Sequence, residues 1–213
     1  VEMGIENIKL KIGKLQKGKN NLITDVKGVK VGHKTLDNGN IKTGVTAIIP
    51  HSDNIFREKL ICSSYVINGF GKSVGLVQIN ELGTLETPII LTNTLSVGTC
   101  STALVKYMLK ENDDIGVTTG TVNPVVCECN DGYLNDIRGL HVKEEDVFDA
   151  IENAEINFKE GNIGAGTGMS CYQLKGGIGS ASRVLKLDDK EYTIGSLVLS
   201  NFGLKEDLLV DGI

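Results

Sequence analysis

Residues 88–110 read PIILTNTLSVGTCSTALVKYMLK, a strand pattern that runs straight into a helix pattern. Pro88 to Thr92 is a short apolar run of the kind a central strand carries. Gly98 to Lys110 then sets Ala103, Leu104, Tyr107 and Met108 on one face at helical spacing, behind small hydroxylated residues that suit a helix start. Upstream, Thr43 to Pro50 (TGVTAIIP) reads as a buried strand and Ser73 to Ile79 (SVGLVQI) as another. Asp37-Asn38-Gly39 predicts a type I′ hairpin turn, and Asn21 to His33 alternates as strand–turn–strand around Gly28 and Gly32. Downstream, Ile115 to Thr121 is a strand or turn. Lys143 to Ala154 is a second helix whose acidic start suits the positive end of its dipole. Gly161 to Met169 and Gly176 to Arg183 are Gly-rich β segments, and Tyr192 to Phe202 (YTIGSLVLSNF) is an apolar strand that ends on Asn201. The order is strands, helices, strands. That excludes steady βαβ winding and predicts a layered α/β (α+β) domain over residues 1–213, with stacked sheets and outer helices.

Composition narrows the function. The 213 residues carry a net charge of −5, which disfavours nucleic acid as a partner, since phosphate binding needs a basic patch. The lysines at 9, 11, 14, 17 and 19 form the one basic cluster and read as a solvated strand edge or loop. There are 26 glycines, 5% aromatic residues and no Trp, which points to tight turns and close backbone approaches. The cysteines at 62, 100, 127, 129 and 171 form no disulfide framework, and Cys127-Glu128-Cys129 has the wrong spacing for a redox or zinc motif. With only 3 His, no metal site is expected, and free thiols suggest the cytoplasm. No signal peptide or membrane span is read in the sequence.

Several motifs fail. Gly71-Lys72-Ser73 ends like a P-loop, but Val66 stands where the first Gly is required. Gly164-Ala165-Gly166-Thr167-Gly168 has the wrong spacing for a dinucleotide loop and leads into a strand, so a close-packed hairpin is the better reading. There is no G-x-S-x-G elbow, and His33, His51 and His141 have no local catalytic partners.

An ordered set of segments carries a resemblance. These are Ile23-Thr24-Asp25-Val26-Lys27-Gly28 through His33, Glu86-Thr87-Pro88 with Leu91 to Gly98, and Glu128-Cys129-Asn130-Asp131-Gly132-Tyr133-Leu134-Asn135-Asp136. Gly164 to Met169 with Lys175 to Gly179, and Leu199-Ser200-Asn201-Phe202-Gly203, complete it. From about residue 20 onward the chain resembles the DmpA-type peptidases, the L-aminopeptidase/D-esterases and β-peptidyl aminopeptidases. That resemblance implies a four-layer αββα sandwich shared with ornithine acetyltransferases. It also implies a precursor that cuts itself once and exposes a Ser or Thr as the first residue of a β chain. The present residues correspond to the α chain, and the nucleophile is not among them. αβ units that form homo-oligomers, a small peptide or amide substrate, and no cofactor are further implications.

What the α chain can supply is an oxyanion donor and a grip on the substrate. By resemblance Asn201 donates to the oxyanion; without it, Asn201 reads as a turn residue before Phe202-Gly203. Glu128, an odd carboxylate between two cysteines after Val125-Val126, is by resemblance the amine-binding residue. Tyr133 could hydrogen-bond the intermediate, or be a core ring with a satisfied hydroxyl. Asn130, Asp131 and Asn135 shape the loop. Thr92, Asn93 and Thr94 either line the site or cap the helix. Two other functions stay open: acyl transfer of the ornithine acetyltransferase type, and a non-catalytic binding subunit.

Overall fold

The structure, a computed structural model, describes residues 13–210 and 212. In chain order the elements are β1 (Gln16–Lys17), β2 (Lys30–Asn38), β3 (Ile41–Ile49), β4 (Leu60–Ile61), α1 (Leu76–Leu82), β5 (Thr84–Leu85) and β6 (Ile89–Asn93). Then come α2 (Val97–Glu111), β7 (Val125–Cys129), α3 (Glu144–Glu152), β8 (Ser170–Cys171), β9 (Leu174–Lys175), β10 (Ile178–Leu187) and β11 (Lys190–Leu199). Two larger sheets form: a four-stranded one of order β2-β3-β6-β7 and a three-stranded one of order β1-β10-β11. β6 and β7 run parallel with α2 as their crossover, and Thr92 pairs with Glu128. The other pairings in these sheets are antiparallel.

Alternation along the strands sets the layers. Val45, Ala47, Ile90 and Val126 pack against Cys100, Ala103 and Leu104 of α2 and Val147, Ala150 and Ile151 of α3. The helices therefore cover one face of the four-stranded sheet. Val31, Ile48, Ile89 and Leu91 point to the other face and meet Ile178, Leu197 and Leu199 of the second sheet. A glycine permits the helix contact. A Cβ at Gly32 would lie 2.0 Å from the Ala150 carbonyl oxygen, so α3 rests directly on the β2 backbone. The segment Glu86-Thr87 ties the parallel pair together at its start. Buried Glu86 accepts from the Asn123 backbone at 2.8 Å and pairs with Lys59 at 3.0 Å, while the Val125 N–H donates to the Thr87 hydroxyl at 3.2 Å.

The central strand, the buried strand and both helices lie where the sequence puts them. Four readings change. Ser73–Ile79 is not a strand: Val74 makes a single bridge to Val126, and a helix of 7 residues follows between Gly75 and Gly83, both left-handed. A Cβ at Gly75 would lie 2.4 Å from the Pro124 carbonyl oxygen, so the chain turns away there before a strand can extend. Ile23–Asp25 is a 3-10 turn closed by the Asp25 carboxylate, and the strand begins only at Lys30. The β2–β3 turn centres on Gly39-Asn40, since Asn38 still pairs with Ile41, and only Gly39 takes a positive φ, 56°. Gly164–Gly166 is a 3-10 turn that precedes the small β8–β9 hairpin rather than forming it, although its glycines do pack closely: a Cβ at Gly166 would meet the Ile178 nitrogen at 2.6 Å. Lys17 lies on the edge strand β1, as a protecting lysine would; Lys9 and Lys11 lie outside the described residues.

Candidate active site

The two sheets meet at one end, where β7 and β11 stop. The Cys129 thiol donates to the Leu199 carbonyl at 3.5 Å, and the Asn201 amide donates to the Asn130 carbonyl at 2.5 Å. An amide has two N–H donors, so this bond orients Asn201 and leaves the second donor for a ligand. Asn130, Gly132, Tyr133, Ile137, Ser170 and Asn201 line an open cleft of about 510 Å³. Tyr133 is 86% exposed, so it is not a core ring. Of the sequence-selected residues, Asn201 and Tyr133 thus share one cleft.

Glu128 sits two residues before Asn130 on β7, half-buried. Strand alternation turns it toward the helix side. There the Thr94 hydroxyl donates to its Oε2, and the Lys72 backbone N–H donates to its Oε1 at 3.0 Å. Asn93 caps the turn that leads into α2, accepting from the Leu95 and Ser96 N–H groups at 3.1 Å. The polar junction after β6 therefore does both things expected of it: Asn93 caps, and Thr94 reaches the site. Sequence reading offered Thr94 as a lining or capping residue without a partner, because Glu128 is 34 residues away.

The loop after Glu128 is clamped from below. Asp131 is 1% exposed; its Oδ1 accepts from the Asn135 amide at 3.0 Å, and Asn135 in turn accepts from the Lys42 N–H at 2.9 Å. Asp131 Oδ2 is enclosed without a properly formed hydrogen bond. Burial raises the Asp131 pKa above the ordinary aspartate value, and the Thr43 hydroxyl and Asn135 amide pull it back only in part. Burial, with Glu128 adding to it, pushes Cys129 up to about 11, so it is protonated at neutral pH. Burial likewise raises Cys127, and takes Cys100 to about 12.

Among the described residues no group of three or more His, Cys, Asp or Glu is placed to hold a metal ion. No helix among them is long and apolar enough to cross a membrane. A second cavity, of about 370 Å³, lies between β3, α2 and α3 beside Tyr107, Glu111 and Glu152, and contains none of the residues above.

Solved structures share this fold. The β-aminopeptidase of Burkholderia sp. superposes with a TM-score of 0.92 at 42% identity, over 99% of this chain and 60% of that one. The L-aminopeptidase D-Ala-esterase/amidase of Ochrobactrum anthropi, described as a prototype serine aminopeptidase and a new variant of the Ntn hydrolase fold, gives 0.89 at 34% identity, over 98% and 60%. The PH0078 protein of Pyrococcus horikoshii OT3 gives 0.97 at 58% identity, over 99% and 62%. The mixed α/β arrangement is thus of the Ntn hydrolase class that the Ochrobactrum protein represents. The family model for peptidase family S58 matches residues 21–213, and the chain belongs to that family. The β-peptidyl aminopeptidase BapA of Sphingosinicella microcystinivorans is 40% identical over 205 residues, 92% of this chain and 50% of that protein. The chain therefore spans about half the length of the curated relatives it matches.

Proposed function

We propose that this chain is the α part of an aminopeptidase that removes N-terminal residues from small peptides, amides or esters. The observation that carries the reading is that Tyr133 and Asn201 share a cleft where the two sheets end, with Glu128 two residues before Asn130 on β7, in a chain of peptidase family S58. Glu128 holds the substrate's ammonium by charge-assisted hydrogen bonds. Asn201, oriented by the Asn130 carbonyl, gives its free N–H to the oxyanion that develops as the scissile carbonyl is attacked. Tyr133 adds its hydroxyl from across the cleft. The nucleophile is the Ser or Thr that self-cleavage exposes at the start of a β chain, and it carries the acyl-enzyme. No metal or organic cofactor enters this mechanism. The descriptions of the relatives favour hydrolysis over acyl transfer.

The β chain also completes the fold in this reading. Tyr192, Ile194 and Val198 are 49, 54 and 50% exposed on one side of β11, an apolar row that a further layer would cover. That layer would make the four-layer αββα sandwich, the plan shared with ornithine acetyltransferases, and such αβ units would associate as homo-oligomers in the cytoplasm. Intact mass under denaturing conditions with N-terminal sequencing tests the proposal on protein made from the full coding sequence. Two polypeptides in equal amount, one starting with Ser or Thr, are expected. A single uncut polypeptide with peptidase activity would refute the self-cleavage.

A further inference from the structure

Glu128 is a carboxylate oriented by neutral donors. Its oxygens take the Thr94 hydroxyl and the Lys72 backbone N–H, and among the described residues no Lys, Arg or His side chain lies within ion-pair distance of it. Yet a lysine is at hand. The Lys72 backbone nitrogen is 3.0 Å from Glu128 Oε1, and a lysine side chain is long and flexible enough to fold back onto a carboxylate that close. The ammonium goes elsewhere. Lys72 Nζ donates to the Phe70 carbonyl at 2.6 Å and stands 3.8 Å from the centroid of the Phe70 ring. The Phe70 backbone is anchored, since its N–H donates to Asn68 Oδ1 at 2.9 Å. Phe70 is 83% exposed, so its ring is not part of this chain's core, and the Lys72 ammonium lies against it.

We propose that Phe70 is a positioning residue for amine recognition: it holds the Lys72 ammonium away from Glu128 and so keeps that carboxylate open for the substrate's own ammonium. The inference rests on the reading of Glu128 as the amine-binding group. A lysine paired with Glu128 would compete with every substrate, because both cations seek the same oxygens. An ammonium over an aromatic face is held by the ring quadrupole, and the exposed setting keeps that hold modest. The expected effect is therefore on substrate binding, not on the bond-breaking step.

The test is steady-state hydrolysis of an aminoacyl p-nitroanilide by the full-length protein. The variants are Phe70→Leu, Lys72→Met, the double variant Phe70→Leu/Lys72→Met, and Glu128→Gln. Phe70→Leu should raise KM about fivefold, equal to about 1 kcal/mol, and leave kcat within about twofold. In the Lys72→Met background the same Phe70→Leu change should leave KM within about twofold, because no ammonium remains to compete. An unchanged KM in Phe70→Leu, or an increase that persists in the double variant, would overturn the proposal. Glu128→Gln separates the two levels. If it raises KM while Phe70→Leu does not, only the role of Phe70 falls. If Glu128→Gln leaves KM unchanged, the reading of Glu128 falls and this proposal falls with it.

Discussion

The four-stranded sheet is enclosed on both faces, by α2 and α3 on one side and by the second sheet on the other. The three-stranded sheet is enclosed on one. Ile90, Val126 and Leu104 in the first region are fully buried, whereas Ile194 of β11 is 54% exposed. The difference teaches where the chain's own stability resides and where its chemistry does. The helix-covered sheet supplies a rigid frame. The half-covered sheet supplies an open side, and Tyr133 and Asn201 share a cleft where the two sheets end together.

Deleting apolar atoms from the two regions should separate them most sharply. Leu104→Ala, in the enclosed region, should cost about 2–5 kcal/mol in denaturant unfolding of the full-length protein. A cost below 1 kcal/mol there would break the view of α2 as the frame. The shared end of the sheets comes next. Asn201→Ala should lower kcat by about 100- to 1000-fold, with a smaller change in KM, as loss of an oxyanion donor does. An equal loss confined to KM would move Asn201 to substrate binding.

A smaller effect tests whether the open face is covered in the whole protein. Ile194→Ala should cost more than the roughly 0.5 kcal/mol that bounds most surface changes. A cost within that bound would mean that the apolar row on β11 stays in water.

The smallest effect concerns Asp131, beneath the site loop. Its carboxyl is raised in the folded protein, so the native state holds that proton more tightly than the unfolded chain. Its stabilising contribution is complete below the ordinary aspartate pKa and is lost as pH rises through the raised folded value. Asp131→Asn removes that linkage. Unfolding free energies measured from acid to neutral pH should therefore fall less steeply in the variant than in the wild type. Identical slopes would show that Asp131 ionises freely in the native state.

These two regions also differ in how far the sequence reveals them. The enclosed frame was legible because β3 and β6 are continuous runs buried on both faces, while α2 and α3 each bury one face at helical spacing. Ser73–Ile79 misled because a short apolar run fits strand and helix alike, and the left-handed Gly75 settles it only through its contact with Pro124. Glu128, Tyr133 and Asn201 were selected through the resemblance, not through spacing, and of these Tyr133 and Asn201 share the cleft. The bonds that Thr94 and the Lys72 N–H make to Glu128 were not legible, since they span 34 and 56 residues of chain. Asp131 read as a loop-shaping residue, and its enclosed oxygen shows only once the fold has closed over it.

The central claim is that the shared end of the sheets recognises a free amine on the residue it releases. The most direct measurement compares, in the full-length protein, hydrolysis of an aminoacyl p-nitroanilide with that of its N-acetylated form. The account predicts turnover of the free amine and none detectable for the acetylated compound, which offers Glu128 no ammonium. Equal turnover of both would contradict it.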